Sequence, residues 1–447
     1  MIKMPNGWEQ VTLADCAVLN PRHQGIPSRT TVSFVPMPAV RDITGEIEGA
    51  QDRPFSEVSK GYTHFQTGDV IFAKITPCME NGKIAVARKL TGGLACGSTE
   101  FHVLRPLGDI SPDFIWRFLR QKSFRADAEA AMTGAVGQRR VPLDYLKAQM
   151  LPLPPLNEQR RIVKKIDGLT AQSRYANDHL NHIPRLVEKY KQAILAAAFR
   201  GDLTRGWRST NKNESGWEAS TIGDVATIAS GQTPKGIEDA LSANGEISWF
   251  KVSSMNEAAN LEGLRSSQFR LSRNKAMALG LRMYEPGSIT FPKRGGAIAT
   301  NKKRRLLVAG ALDLNLMVLT ARKVTPEFLW WWMDKLDLST ISNGSNVPQI
   351  NNGDIAPLAI QVPPIAEQNE ICRRIQAAVS WIDRLVTETT SARKLIVHLD
   401  QAILAKAFRG ELVPQDPNDE PASVLLERNK AERAGQVSTK RSKRARK

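Results

Sequence analysis

Lysine and arginine clusters are the residues whose types and spacing indicate a chemical role in this sequence. Lys74 and Lys293 each follow a Gly-x-[Val/Ile]-x-Phe segment, which is typical of a short strand. Lys293 and Arg294 precede two glycines, whose flexible backbone suits a close approach to phosphate. Such clusters bind nucleic-acid phosphates, although a solvated surface is the alternative for any single residue. The predicted DNA contacts from these clusters are Lys74, Arg139, Arg140, Lys293, Arg294, Lys302, Lys303 and Arg304.

One segment adds amide side chains to this set. Residues 346–352 read Asn-Val-Pro-Gln-Ile-Asn-Asn, and Gln349 could form paired hydrogen bonds with the edge of an adenine base. The alternative is a turn that seats the surrounding domain on a neighbouring helix. We include Gln349 among the predicted DNA contacts.

Motifs for catalysis are absent from the sequence. It has no Gly-x4-Gly-Lys-[Ser/Thr] phosphate loop and no His-Glu-x-x-His zinc motif. The Pro-Pro pairs at 154 and 363 lack the preceding Asn or Asp of an amino-methyltransferase motif. The six histidines and four cysteines show no ligand spacing, so no metal site is predicted. We therefore expect no catalytic residue and no cofactor bound by this chain.

The charge balance favours an acidic partner. The 447 residues carry a net charge of +17, which indicates nucleic acid rather than a membrane surface. No apolar run approaches the length of a transmembrane helix, and the first residues lack the apolar core of a signal peptide. The cysteines are far apart, as expected in a reducing compartment. The sequence therefore predicts a cytoplasmic protein.

The chain is an internal repeat. Gly7-Trp8-Glu9 returns as Gly216-Trp217-Glu218, and Pro154-Pro155 with Glu158-Gln159 returns at 363–368, both at an offset of 209. Residues 192–203 and 401–412 differ at two positions and share that offset. This period is too long for a solenoid, whose repeats span about 20–50 residues. The sequence therefore predicts two similar domains related by pseudo-twofold symmetry.

The two copies differ in the middle. Gly68, Phe72 and Lys74 match their counterparts at an offset of 219, whereas Phe114 and Trp116 match theirs at 214. Insertions therefore lie inside the copies, and the ends keep a fixed length. This pattern indicates one frame that carries two different recognition surfaces.

Each copy ends in a long predicted helix. Apolar residues recur at alternating steps of four and three from Ile162 to Ala197, and the same positions repeat from Ile371 to Lys406. This heptad pattern is typical of a coiled coil, and an ordinary buried helix is the alternative. Two such helices in one chain can pair antiparallel. At 1.5 Å per residue, about 45 residues would separate the two domains by about 65 Å.

The remaining segments predict a mixed α/β fold, with an α+β arrangement of elements. Strand patterns lie at 70–76, 101–105, 288–291 and 314–321, and shorter helices at 112–131 and 326–341. The predicted boundaries are residues 1–155 for the first domain, 156–203 for the first long helix, 204–215 for a linker, 216–364 for the second domain, 365–412 for the second long helix and 413–447 for a basic, flexible tail. One short helix is expected at 423–434.

The doubled motifs resemble the specificity subunit of Type I restriction–modification enzymes. The resemblance rests on the Gly-Trp-Glu starts, the Pro-Pro-x-x-Glu-Gln helix openings, the Gln-Ala-Ile-Leu-Ala-x-Ala-Phe-Arg-Gly ends and the stretch at 67–83. It covers nearly the whole chain, apart from the tail beyond Gly435.

The resemblance implies two target-recognition domains, each of which reads one half of a split double-stranded DNA sequence. The coiled coil would set their spacing and dock two modification subunits. The partners would carry the chemistry, with S-adenosylmethionine in the modification subunits and ATP and Mg²⁺ in the restriction subunits. This chain would be a non-catalytic DNA-recognition subunit.

Two other classes of protein remain open from the residues alone. One is a self-contained DNA methyltransferase or nuclease with fused recognition domains, against which the absent motifs argue. The other is a coiled-coil scaffold that reads no sequence, against which the divergent domain centres argue.

Overall fold

The computed structural model divides the chain into two compact units. The first unit comprises Met1–Leu180 and Ser391–Lys447, and the second comprises Asn181–Thr390. Both are mixed α/β, as the sequence predicts. The structure describes residues 4–211, 216–242, 244–344 and 347–431.

Strands of the first unit form three sheets. The strands are β1 (Glu9–Thr12), β2 (Ala17–Leu19), β3 (Thr31–Val35), β4 (Gln51–Pro54), β5 (Thr63–Gln66), β6 (Val70–Ala73), β7 (Ile84–Val86), β8 (Leu94–Gly97), β9 (Phe101–Pro106) and β10 (Met150–Leu153). Their orders are β2-β9-β6-β7, β4-β3-β8-β5 and β1-β10. All pairs are antiparallel except β3 with β8, where Ser33 lies opposite Ala95.

The second unit repeats this plan. Its strands are β11 (Glu218–Thr221), β12 (Ala226–Ser230), β13 (Ile247–Phe250), β14 (Arg270–Leu271), β15 (Ile289–Pro292), β16 (Arg304–Arg305), β17 (Gly310–Leu312), β18 (Leu316–Ala321) and β19 (Ala359–Val362). Their orders are β12-β18-β15-β16, β14-β13-β17 and β11-β19. The parallel pair recurs between β13 and β17, with Ser248 opposite Gly310. The repeat in sequence is therefore a repeat in topology.

Helices surround these sheets. In the first half of the chain they are α1 (Leu13–Cys16), α2 (Phe55–Val58), α3 (Pro112–Leu119), α4 (Lys122–Ala130), α5 (Leu143–Ala148) and α6 (Leu156–Phe199). In the second half they are α7 (Arg205–Asn211), α8 (Ile222–Val225), α9 (Ile237–Ala240), α10 (Arg273–Ala278), α11 (Pro326–Lys335), α12 (Asn352–Ile355), α13 (Ile365–Phe408) and α14 (422–431). Single 3₁₀ turns lie at Met37–Ala39, Thr91–Gly93, Val252–Asn256, Ala258–Asn260, Ile298–Thr300 and Leu338–Ile341.

The two long helices, α6 and α13, have 44 residues each. Both end before a glycine with positive φ, Gly201 and Gly410, a conformation that glycine adopts without strain. In the first unit, Ile162 near the start of α6 shares a core with Phe408 at the end of α13. In the second unit the opposite ends meet: the end of α6 packs with the start of α13. The helices are therefore antiparallel, as predicted.

The tryptophan of each Gly-Trp-Glu motif fixes the start of its unit to a long helix. Trp8 Nε1 donates to Glu158 Oε2 at 3.0 Å, and Trp217 Nε1 donates to Glu367 Oε2 at the same distance. Both glutamates lie in the first turn of a long helix, where the helix dipole favours a negative charge. The repeated motif thus has a structural role.

The glutamine that follows each of these glutamates links three segments. Gln159 Nε2 donates to the Pro154 carbonyl at 3.0 Å, and its Oε1 accepts the Ser111 N–H at 3.1 Å. Ser111 is the residue that caps α3. Gln368 makes the same contacts with Pro363 and with Thr325, which caps α11. The Pro-Pro-x-x-Glu-Gln motif therefore ties each domain to its long helix.

The described parts of two segments that were expected to be irregular pack against a unit, which corrects the sequence interpretation. The segment 204–215 was expected to be a linker, but its described part contains α7, and Arg208 there donates to Glu367. The tail at 413–447 was expected to be flexible apart from one short helix at 423–434; α14 confirms that helix and buries Leu425 in the core of the first unit. Asn429 Nδ2 also donates to the Leu107 carbonyl at 3.2 Å. Both segments pack because a few apolar or hydrogen-bonding residues reach a neighbouring core. Residues 432–447 lie outside the described part.

Within the described residues, no helix is both long enough and apolar enough to cross a membrane.

Candidate nucleic-acid interface

The end of β6 holds Lys74 between two other segments of the first unit. The Lys74 N–H donates to the Glu100 carbonyl at 2.9 Å, just before β9. The Lys74 carbonyl accepts the N–H of Val141 at 2.8 Å. These two bonds bring the strand end, the start of β9 and the segment around Arg140 into one site, although 66 residues of sequence separate Lys74 from Arg140.

A forked ion pair lies in this site. Arg140 donates from Nε and Nη2 to the two carboxylate oxygens of Glu100, both at 2.9 Å. Hydrogen bonding to Arg140 lowers the pKa of Glu100, and the charge of Lys74 acts in the same direction. Arg139 donates to the carbonyls of Glu129 at 2.7 Å and Met132 at 3.3 Å through a single Nη. Among the described residues, the other side-chain donors of Arg139 have no hydrogen-bond partner and could meet a phosphate.

An exposed loop leads into Arg140. Thr133 and Arg140 exchange backbone hydrogen bonds of 3.0 and 2.8 Å, which close the loop at its base. Val136 at its tip is 99% exposed, an unusual position for an apolar side chain. Gly134 has a φ of +118°, and a Cβ there would lie 3.0 Å from the Gln138 carbonyl. The loop therefore requires glycine and projects its tip into solvent.

The second unit builds the same frame at the end of β15. The Lys293 N–H donates to the Asn315 carbonyl at 2.7 Å, and the Lys293 carbonyl accepts the Ile350 N–H at 2.9 Å. Asn343 and Gln349 exchange backbone hydrogen bonds of 2.8 Å each. Lys293, Asn315 and Gln349 thus occupy the positions of Lys74, Glu100 and Arg140.

Different side chains fill this common frame. In the second unit, Gln349 Oε1 accepts from Arg294 Nη2 at 3.2 Å, and Gln349 Nε2 donates to Asn351 Oδ1 at 2.7 Å. Lys293 Nζ donates to Ser230 Oγ at 3.1 Å. An amide therefore replaces the arginine–carboxylate fork of the first unit. The same backbone frame therefore carries different hydrogen-bonding groups in the two units.

Part of the basic run at 302–305 is structural, which corrects the sequence prediction. Lys303 is only 5% exposed, and its ammonium donates to Asn301 Oδ1 and to the Leu336 carbonyl. Burial lowers the pKa of Lys303 to about 8. Arg304 donates to three backbone carbonyls, of Met255, Asn260 and Lys303. The buried Lys303 ammonium is not available to phosphate, so we remove Lys303 from the candidate set. Arg304 is half-buried, and its contact with phosphate stays a prediction.

Lys302 keeps a partly exposed ammonium, which donates to the Asn256 side chain. Arg294 is exposed. The structure thus gathers Lys74, Arg139 and Arg140 in one unit and Lys293, Arg294 and Gln349 in the other. It places Lys302 outside both loop frames.

Comparison with known families decides the class of protein. Residues 5–185 and 214–390 each match the Type I restriction modification DNA specificity domain, so the two matches coincide with the two repeats. The chain belongs to this Type I specificity family.

Relatives within the specificity family align over much of the chain. The StySPI specificity subunit of a Type I restriction enzyme from Salmonella potsdam is 27% identical over 377 residues, 78% of this chain and 77% of the relative. The EcoKI specificity subunit from Escherichia coli K12 is 27% identical over 370 residues, with the same coverage. The EcoEI specificity subunit from Escherichia coli is 40% identical over 165 residues, but the match covers only 27% of that subunit's length.

Solved structures share the specificity-family fold. The HsdS subunit from Thermoanaerobacter tengcongensis has a TM-score of 0.65 and 22% identity, over 92% of this chain and 98% of that one. A chain from a study of complex assembly and conformational transition of the type I R-M system has a TM-score of 0.72 and 22% identity, over 92% and 100%. At this identity the likeness establishes the fold alone.

The sequence prediction missed two residues of the candidate site. Glu100 and Asn315 face the two lysines from the neighbouring strand, and no motif marks either of them. The loops carry a weak signal, because Gly134 and Gly344 both follow a polar residue and both have positive φ. The two glycines are 210 residues apart and would pair Arg140 with Ile350, whereas the repeat offset of 209 pairs Arg140 with Gln349.

Proposed function

We propose that this chain is the DNA-recognition subunit of a Type I restriction–modification enzyme and reads a bipartite DNA target. Each unit would read one half of the target. The observation that carries this proposal is the shared frame at Lys74 and Lys293, in which Arg140 and Gln349 occupy equivalent positions. Two domains that recognise different half-sites need the same backbone frame but different side chains on it.

Phosphate contacts would position the units on the duplex. The lysines of the shared frame, together with Arg139, Arg294 and Lys302, offer ammonium or guanidinium donors that the fold does not fully use. Contacts of this kind fix register and orientation without reading sequence. The net charge of +17 supports the same role, because electrostatic attraction supplies most of non-specific DNA affinity.

Base contacts would come from the residues that differ. An arginine can bond guanine O6 and N7, and a carboxylate can accept from cytosine N4, so Arg140 and Glu100 suit G·C pairs. Gln349 suits adenine, whose N6 and N7 match the donor and acceptor of an amide. The arginine–carboxylate fork would hold Arg140 in place before DNA arrives, and preorganisation of this kind lowers the entropy lost on binding.

Partner subunits would dock on the long helices. In the second unit, α6 and α13 present Leu186, Tyr190 and Trp381 at 50–60% exposure around one shallow apolar groove. Exposed aromatic side chains of this kind are typical of protein interfaces. We assign this groove to a modification subunit. Two modification subunits would bind the pseudo-symmetric chain, and restriction subunits would join them.

The chemistry would reside in those partners. This chain would bind no cofactor of its own, whereas the modification subunits would use S-adenosylmethionine and the restriction subunits ATP with Mg²⁺. The absent phosphate-loop and amino-methyltransferase motifs support this division. We place the complex in the cytoplasm, because the widely spaced cysteines are typical of a reducing compartment.

One reconstitution experiment separates this proposal from its two alternatives. The purified chain is mixed with and without modification subunits, and adenine methylation of genomic DNA is measured. The proposal expects no methylation by the chain alone and methylation of one split motif by the mixture. Turnover by the chain alone would identify a self-contained enzyme, and methylation without a defined motif would identify a scaffold.

A further inference from the structure

Two histidines and one cysteine meet on the first unit, outside the DNA site. They are His23, in the loop after β2, His64 in β5 and Cys96 in β8. Because β5 and β8 are antiparallel neighbours with His64 directly opposite Cys96, both side chains point to the same face of the sheet. His23 covers them, with its ring stacked on His64 at a centroid distance of 5.1 Å. One ligand atom from each of the three lies within 4.8 Å of the others.

Hydrogen bonds define which ring nitrogens are available. His23 Nε2 lies 3.0 Å from the Ala95 carbonyl, and His64 Nε2 lies 2.9 Å from the Ser59 carbonyl. A carbonyl only accepts, so each Nε2 carries a proton and each neutral ring keeps its lone pair on Nδ1. The His23 backbone N–H donates to His64 Nδ1 at 3.1 Å, which confirms that this Nδ1 is unprotonated. Metal-binding histidines commonly hold their second nitrogen in this way.

We propose that His23, His64 and Cys96 form a site for Zn²⁺, with two Nδ1 atoms and one thiolate as ligands. Imidazole and thiolate together favour Zn²⁺ among the common divalent cations. Binding exchanges one proton for the metal, because the Cys96 thiol releases its proton to solvent as the Zn–S bond forms. The ion also replaces the hydrogen bond from the His23 N–H to His64.

The geometry requires a modest closure. Zinc bonds of 2.0–2.3 Å in a tetrahedron separate ligand atoms by about 3.3–3.8 Å, roughly 1 Å less than the present limit. His64 and Cys96 lie in paired strands and are buried, whereas His23 lies in a loop and is half-buried. His23 is therefore the ligand that moves. Phe55 packs edge-on against both histidine rings and shields the site, as an apolar shell does around many metal centres.

The site is independent of DNA reading. It lies on the β4-β3-β8-β5 sheet, whereas Lys74 directly follows β6 of the β2-β9-β6-β7 sheet. A bound ion would tie the loop after β2 to this sheet and would therefore stabilise the first unit. The proposal can fail without affecting the assignment of the chain as a DNA-recognition subunit.

Cobalt titration tests the site, because Co²⁺ replaces Zn²⁺ and absorbs light when a thiolate binds it. The full chain is stripped with a chelator and titrated with CoCl₂. We expect one equivalent to bind with a thiolate-to-cobalt charge-transfer band in the near ultraviolet, and one equivalent of ZnCl₂ to remove the band. Absence of the band at saturating Co²⁺ would overturn the proposal.

Variants distinguish this site from adventitious binding. Cys96→Ala should remove the charge-transfer band, and His23→Ala, on a loop where folding is tolerant, should weaken Co²⁺ binding at least tenfold. Cys78→Ala is the matched cysteine control and should leave the band unchanged. A His179→Ala, His182→Ala double variant controls for the histidine pair on α6. Binding that survives Cys96→Ala and His23→Ala but is lost in the double variant would also overturn the proposal.

Discussion

Trp8 Nε1 donates a hydrogen bond of 3.0 Å to Glu158 Oε2, across 150 residues of sequence. The other carboxylate oxygen of Glu158 is buried, with no hydrogen-bond partner among the described residues. Its counterpart Glu367 is better satisfied, since its second oxygen accepts from Thr204 at 2.6 Å and from Arg208. Among the described residues, the same motif therefore has one unpaired carboxylate oxygen in the first unit and two paired oxygens in the second.

Glu158→Gln should stabilise the first unit at neutral pH. Burial raises the pKa of Glu158, opposed by the hydrogen bond from Trp8 and the charge of Arg161. A raised pKa means that the protonated carboxyl suits the folded state, so its contribution is present below the ordinary value of 4.5 and is lost as pH rises through the folded pKa. The amide keeps an acceptor for Trp8 and carries no charge. We expect a gain of about 1 kcal/mol at pH 7.

Urea unfolding from pH 4 to 8 measures this effect. The wild type should lose stability as the pH rises above 4.5, and Glu158→Gln should flatten that loss. If Glu158→Gln is less stable than the wild type at pH 7, the ionised Glu158 stabilises the folded state and the prediction is wrong.

Glu367→Gln is the matched substitution in the second unit, and it should lower the free energy of unfolding. It leaves Arg208 without its carboxylate partner, and Glu367 is almost completely buried while Arg208 is about one-third exposed. Removing one partner of a buried pair costs several kcal/mol, and solvent around Arg208 reduces this to about 2 kcal/mol. Equal effects from Glu158→Gln and Glu367→Gln would contradict the asymmetry described above.

Removal of Lys293 or Arg294 should weaken DNA binding for all sequences alike. Each alanine substitution should lower the slope of log affinity against log salt by about one unit, because one phosphate contact is lost. Lys303→Met is the control, since the buried Lys303 ammonium faces Asn301 and Leu336 rather than solvent. It should lower stability and leave the slope unchanged. Binding isotherms between low and physiological salt give the measurement, and a reduced slope for Lys303→Met would refute the structural role.

The tail segment should stabilise the first unit. Leu425 of α14 is 3% exposed and belongs to the core that also holds Trp8 and Phe408. Leu425→Ala should therefore cost about 3 kcal/mol, as for other buried leucines. The neighbouring Leu426→Ala, which removes a partly buried side chain, should cost less. Calorimetry of the full chain checks this, and equal unfolding temperatures for both variants and the wild type would restore the interpretation of a loose tail.

Local sequence patterns predicted the regular elements well. The strands expected around Phe72, Phe101, Phe291 and Val318 all exist, because each is a short and mostly apolar run. The helix expected at 112–131 is instead two helices, α3 and α4, which break at Arg120 and Gln121. Arg120 donates to backbone carbonyls about 38 and 78 residues away in sequence, and no local pattern encodes such contacts.

Long-range contacts account for the errors in the predicted site. Lys303 resembled a phosphate ligand in sequence, but the Leu336 carbonyl that binds it lies 33 residues away. Arg140 and Gln349 share an offset of 209, yet Lys74 and Lys293 are 219 apart, so the repeat alone could not align the whole site. The hydrogen bonds that close the two frames make this correspondence visible.

The long helices are predicted to act as a ruler. Two heptads added to each helix, between 169 and 180 and between 378 and 389, keep the seam in phase and lengthen each by about 21 Å. At about 3.4 Å per base pair, the reconstituted enzyme should require a spacer longer by several base pairs, unless DNA bending absorbs the change. The methylated motif gives the readout. An unchanged spacer with full activity would mean that the helices are only a tether.

The most direct test exchanges one reading loop for the other. Residues 133–141 of the first unit are replaced by 343–350 of the second, so that Gln349 chemistry takes the place of Arg140 in an unchanged frame. The chain is combined with modification subunits, and the methylated motif is read by sequencing genomic DNA. The account predicts a change in one half of the motif and no change in the other half. A motif altered in both halves, or in neither, would contradict independent reading by equivalent loops.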